Sequence, residues 1–208
     1  MYGTENFFMN LTAMSALIIF IFCAADILPR VFEKTELNRG KTAYFVLCVW
    51  VLRMFRIKFL PEFTLNISCI IILTACAVLK ACREQKGVLK TLLSAAFCAS
   101  AAAFYNSVIG ESEISMLLFA LLNAVSGLAF GGPAAAFACS AAVPVSAEIL
   151  RFILELCRYG YGALELTENI VDAQMAGIVF SAVLYEIHVS LKAFWDRRKQ
   201  DSRAKAER

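Results

Sequence analysis

Nearly the whole chain is taken up by apolar stretches of about the length that crosses a bilayer, separated by short polar connectors. Between Phe7 and Leu28 the only charged residue is Asp26. In hydrocarbon such a run satisfies its backbone polar groups only by coiling into a helix. Walking the chain in this way predicts an all-α, polytopic transmembrane helical bundle of about seven spans. They lie near residues 7–28, 43–60, 63–81, 89–109, 114–130, 133–154 and 171–193. Residues 1–193 then form one transmembrane domain, and residues 194–208 a basic helical tail on the cytoplasmic side.

Composition agrees: 60% of residues are hydrophobic against 18% charged, and the mean hydropathy is +0.68. No connector is long enough to fold as a soluble domain. The first polar residues, MYGTEN, carry no Lys or Arg, the opposite of a signal-peptide front, so the first run is expected to remain as a span. Most of the eight cysteines fall inside apolar stretches, with no C-x-x-C pair and no Cys/His ligand spacing. They are expected to pack as small apolar side chains, and no metal or cofactor is expected. There is no nucleophile elbow, zinc-protease helix or phosphate loop, so no enzyme chemistry is expected. The expected surroundings are the lipid bilayer, with no nucleic acid.

Orientation follows from the basic residues. With seven spans and the N-terminus outside, residues 29–42, 80–90 and the segment from Lys192 to Arg208 face inward and hold fifteen of the twenty Lys and Arg. The positive-inside rule therefore puts the chain in the cell membrane with an external N-terminus and an internal tail. Arg53 falls about mid-depth in the second run, where an unpaired arginine costs at least about 2.5 kcal/mol. If residues 43–60 instead lie flat at the interface, the count is six.

Arg53 and Arg56, three apart, share a face of a helical second span, with Lys58 toward the outer surface. Together they make a cationic patch suited to a carboxylate, a phosphate or an anionic peptide end. The structural alternative is that the arginines snorkel or pair with Glu62, Glu111 or Glu148. Arg53, Arg56, Lys58 and Glu148 are the candidate ligand-binding residues. Glu148, Arg151 and Glu155 also fit an ion ladder at helical spacing. Asp26, Asn66, Asn106, Asn123 and Glu186 are further polar groups in or near spans, and His188 is expected to be hydrated or hydrogen-bonded. Small residues crowd the fourth to sixth runs, for example Ala99 to Ala103 and Pro133 to Ala136, and mark close helix contacts. Gly131-Gly132-Pro133 predicts a tight reversal, and Pro144 a kink.

The order of features resembles the membrane module of accessory-gene-regulator-type sensor histidine kinases of the GHKL group. It is carried by an apolar first span, a basic turn from Arg30 to Lys41, a Pro/Asn-containing turn from Pro61 to Asn66, a second basic turn from Lys80 to Lys90, and a charged stalk from Phe194 to Arg208. The resemblance implies a non-enzymatic receptor-like module that senses a small-molecule or peptide ligand. It would signal to a cytoplasmic or membrane protein partner through Lys192 to Arg208, alone or as a homodimer. With no kinase domain following the stalk, phosphotransfer is not expected. Locally, Gly127 to Ala138 is similar to Gly-Pro segments in substrate-binding subunits of energy-coupling-factor vitamin transporters, which implies the alternative of a solute-binding transporter subunit.

Overall fold

The computed structural model describes residues 4–83, 87–109 and 113–206. Eight helices and three short strands follow in the order α1 (Thr4–Ala25), α2 (Pro29–Thr35), α3 (Arg39–Leu52), β1 (Arg56–Leu60), β2 (Phe63–Asn66), α4 (Ile67–Arg83), α5 (Val88–Ile109), α6 (Glu113–Phe130), α7 (Pro133–Tyr159), β3 (Leu164–Leu166) and α8 (Glu168–Ala206). The architecture is all-helical apart from the small sheet.

Burial is inverted relative to a water-soluble bundle. On α5 the inward stripe is Thr91, Ser94, Ala95, Ala99, Ala102 and Ala103, whereas Leu92, Leu93, Phe97 and Phe104 stand 62–76% exposed. Helix α6 repeats this, with Ala120, Asn123 and Ala124 inside and Leu118, Leu122 and Val125 outside. An exterior this apolar is unstable against water and suits lipid. Small inward residues bring the helices close, as their clustering in the sequence predicts. A Cβ added at Gly127 would lie 2.5 Å from the Ala136 Cα, and one at Gly177 2.8 Å from the Ser140 Cβ.

Among the described residues three helical stretches are long and apolar enough to cross a membrane: Val88–Tyr105, Pro133–Tyr159 and Glu168–Lys199. Thr12–Ala25 and Pro29–Thr35 qualify only together, as a pair bent by 90°. The expected count of seven is therefore not what helix length and composition support. Pro29 starts α2, and Glu36 closes it in the left-handed conformation (φ 52°). Asn38 caps α3 by accepting from the Lys41 backbone N–H at 3.2 Å.

The second expected span, residues 43–60, is not one helix. Helix α3 ends at Leu52, and the chain turns through Met54 and Phe55 into β1. The reason is local: Arg56, Lys58 and Leu60 alternate with Ile57 and Phe59, a period of two rich in aromatic and branched side chains, and that pattern suits a strand. Pro61 and Glu62 form the turn, after which β2 pairs antiparallel with β1, Arg56 opposite Asn66 and Lys58 opposite Thr64. The third expected span likewise begins as strand over Phe63–Asn66 before α4 starts at Ile67.

Strand β3 joins β2 in parallel, giving the order β1-β2-β3. Phe63 packs edge-on against Phe152 of α7, 5.5 Å between ring centres. This sheet marks one end of the bundle, the hairpin end, where α3 and α7 finish and α4 and α8 begin. The opposite, basic end carries the α1–α2 elbow, the end of α4 and the later part of α8. Arg39 pairs there with Asp26 at 2.5 Å, Arg83 with Glu36, and Arg30 donates to Ser190. Helix α7 continues through Pro144 to Tyr159 without a break in the helix. Gln174 of α8 donates to the carbonyl of Ala141, three residues before that proline, at 2.7 Å. Pro144 lacks the N–H that would bond the Ser140 carbonyl, and the Gln174 contact falls on the next carbonyl of the same turn.

Candidate functional site

The buried polar groups of the hairpin end converge where α3 stops. Arg53 is the C-cap of α3, its backbone N–H bonding the carbonyl of Val49 at 3.0 Å. Its guanidinium turns inward and donates to Asp172 of α8 at 2.9 Å, with the two side chains 7% and 0% exposed. Asn66 ends β2 and caps α4, its Oδ1 accepting from the Ser68 N–H at 3.0 Å while its Nδ2 donates to the carbonyl of Arg53 at 2.7 Å. The Ser68 hydroxyl donates to the Val49 carbonyl at 2.8 Å. The backbone of Thr12, on α1, comes up against the same Asp172 carboxylate.

Four helices and a strand therefore meet at one ion pair. Leaving α-helix for strand at Arg53 frees its own carbonyl, which Asn66 takes up, while Ser68 adds a second bond to the Val49 carbonyl already paired with the Arg53 N–H. The Thr12 hydroxyl and the Gln174 Oε1 are buried and make no hydrogen bond. Each such atom costs about 1–3 kcal/mol if nothing else compensates it. Ionisable groups retained inside an apolar bundle at that cost mark the first place to look for function.

One turn outward a second rung repeats the pairing. Arg56 meets Glu168 at 2.7 Å, with the side chains 47% and 31% exposed. Glu168 and Asp172 stand one turn apart at the start of α8, so two arginines of the 53–56 turn clasp the first turn of that helix. The inner rung is sealed, whereas the outer rung is open to the surface.

The expected cationic patch is rearranged. Arg53 and Arg56 do not share a helix face, because α3 ends at Leu52, before both of them. Lys58 lies on the exposed edge strand β1. Arg53 pairs with Asp172 and Arg56 with Glu168, neither of them among the partners expected; of those, Glu111 lies outside the described residues. Glu148 instead belongs to the α7 ladder, with Arg151 at 2.5 Å from Glu148 and at 3.7 Å from Glu155. Asn123 is buried with its Oδ1 unbonded, Glu186 pairs with Arg30 at 3.8 Å, and His188 is exposed. The side chain of Asn106 is outside the described residues.

Asp172 and Gln174 went unmarked in the sequence, although a carboxylate just inside the last apolar run is itself the signal of a membrane-buried partner for an arginine. Among the described residues no cluster of His, Cys, Asp and Glu has the arrangement of a metal site. The cysteines are free thiols, four of them buried. The chain matches no protein-family model, and no curated protein and no solved structure is similar to it.

Proposed function

We propose that this chain is a multi-pass, non-enzymatic receptor-like module of the cell membrane. An anionic group arriving at the hairpin end competes with Glu168 for Arg56, and α8 carries the change to the basic stalk from Lys192 to Arg208, where a protein partner takes it up. The observation that supports this reading is the continuity of α8. Its 39 residues extend about 58 Å at 1.5 Å per residue, from the two-rung ladder at one end to the stalk at the other.

A half-exposed rung stacked on a sealed one is the kind of element that a ligand can bias, because an incoming anion can take the place of Glu168 on Arg56 while the released Glu168 carboxylate, itself partly exposed, turns to solvent. Arg56 and Lys58 are the residues that meet the ligand, Arg53 holds the hinge, and Glu148 braces α7. In this topology seven helices pass between the two ends: α1, α3 and α4 to α8. The second pass is short at 14 residues and is completed by the hairpin. The N-terminus lies outside, in keeping with the basic residues at the opposite end. The order of features resembles that of accessory-gene-regulator-type sensor modules, which supports the reading.

Spin labels on Cys82, an exposed thiol at the end of α4, and on a Trp195→Cys variant with the remaining cysteines removed report the position of α8 in reconstituted bilayers. Glu168→Gln, which removes the carboxylate that an incoming anion would displace, is expected to shift or broaden the distance distribution, as is Arg56→Gln. Distributions identical to the parent protein in both variants would overturn the coupling. Recovery of an ATPase pair with the intact protein from its own membrane would point instead to solute uptake.

A further inference from the structure

A cavity of 380 Å³ lies in the basic half of the bundle, beneath the 90° elbow between α1 and α2. It is independent of the Arg53–Asp172 ladder and is walled by residues of α1, α2, α3, α4, α7 and α8, among them Phe22, Phe32, Phe45, Cys76, Ile178 and Ala182. Among the described residues that line it, only Lys41 and Thr42 are polar, and both sit in the first turn of α3. The volume falls in the range of ligand pockets, about 300–1,000 Å³. Beyond the Lys41–Thr42 end, the described walls are apolar. Cys76 is buried among apolar neighbours, and the Thr42 hydroxyl is already committed as a donor to the Asn38 carbonyl at 3.0 Å.

The polar end of the cavity is cationic. No acidic side chain among the described residues pairs with the Lys41 ammonium, which is exposed beside the start of α3. The neighbouring Arg39 is held by Asp26 at 2.5 Å. An apolar chamber with one lysine at its rim fits a hydrocarbon chain that carries a single anionic head. The charge of this end, with Arg30, Lys34, Arg39 and Lys41 close together in the sequence, suits an anionic bilayer surface.

We infer that the cavity is a lipid site: one acyl chain of an anionic phospholipid enters beneath the elbow, and its phosphate rests on Lys41. The second chain stays in the surrounding bilayer. This inference rests on the protein being embedded in a membrane and not on the sensing role. Packing of α2 over the bound chain would make the elbow depend on lipid composition.

Native mass spectrometry of the full-length protein released from bilayers of equal phosphatidylglycerol and phosphatidylcholine tests it. The expected result is one retained phosphatidylglycerol per protein. Lys41→Gln lowers the preference over phosphatidylcholine about fivefold, the scale of one lysine near a lipid surface. Ala182→Phe, which fills the chamber, removes the retained lipid, and the milder Ala75→Leu reduces it should the larger side chain prevent folding. Retention unchanged in Lys41→Gln and in both filled variants would mean lipid held only at the outer surface and would overturn the site. A free fatty acid of the same chain length displacing phosphatidylglycerol at equal concentration would overturn the phospholipid assignment.

Discussion

Both ends of the bundle are tied by arginine–carboxylate pairs, yet the two sets of ties differ in what they hold. At the hairpin end, Arg53 and Asp172 are sealed, and the strand, the α4 cap and α1 all lean on them. At the basic end, Arg39 and Asp26 are 45% and 50% exposed, Arg83 and Glu36 39% and 65%, and the space between the helices is an apolar cavity. The same functional groups thus lock one end and merely decorate the other. An ion pair in water gains little over two hydrated charges, whereas one deprived of water has no alternative partner. The lesson is that the hairpin end sets the geometry of the helices, while the basic end has room to adapt to what it binds.

The largest effect should come from unpairing the sealed rung. Asp172→Asn leaves the Arg53 guanidinium buried opposite a neutral side chain, and breaking a buried pair costs about 3–5 kcal/mol. The apolar double variant Arg53→Met/Asp172→Leu should recover most of that loss, since it removes both charges at once. Thermal unfolding in detergent micelles measures both. If Asp172→Asn unfolds within about 1 kcal/mol of the parent, the rung is hydrated and the contrast between the ends collapses.

A middle-sized effect tests whether looseness belongs to the whole basic end or only to its α1–α3 side. Gly127, close to the α6–α7 turn, lies so near Ala136 that an added methyl would sit 2.5 Å from a backbone carbon. Backbone cannot rotate away, so Gly127→Ala forces the two helices apart, at about 1–3 kcal/mol. The same unfolding experiment reads this out. A neutral result would mean that α6 and α7 can shift apart at no cost, and a full-sized loss that this side of the basic end is tightly fitted.

Much of this contrast was legible in the residues, though not all. The apolar runs announce helices in lipid because hydrocarbon leaves the backbone few options, and the small residues from Ala99 to Ala103 announce close contacts because only they allow them. The hairpin was hidden by its hydrophobicity: Met54 to Leu60 is apolar enough to count as span, and the strand signal lies in alternation. Placing Arg53 on a continuous helix then put Arg56 on its face and Asp172 out of view, 119 residues away in sequence. Long-range pairing of charges is not encoded in local pattern, which is why the arginine was recognised as needing a partner while that partner was not identified. The cavity, being defined by six elements at once, had no sequence signal of its own.

The smallest effect sharpens the comparison most cleanly, because it repeats one chemical change at the other end. Asp26 sits at the α1–α2 elbow with φ at 53°, a left-handed conformation that asparagine tolerates as well as aspartate does. Asp26→Asn therefore removes a charge without adding backbone strain. With both partners about half exposed, the pair with Arg39 contributes about 0–1 kcal/mol, and salt screens what there is. The expected loss is within that range, and raising salt from 0.05 to 0.5 M (about 14 to 4 Å of Debye length) should erase it. The loss at Asp172, sealed from the ions, should persist at the higher salt. Equal losses from the two Asp→Asn variants, or equal sensitivity to salt, would show that burial is not what separates the two ends.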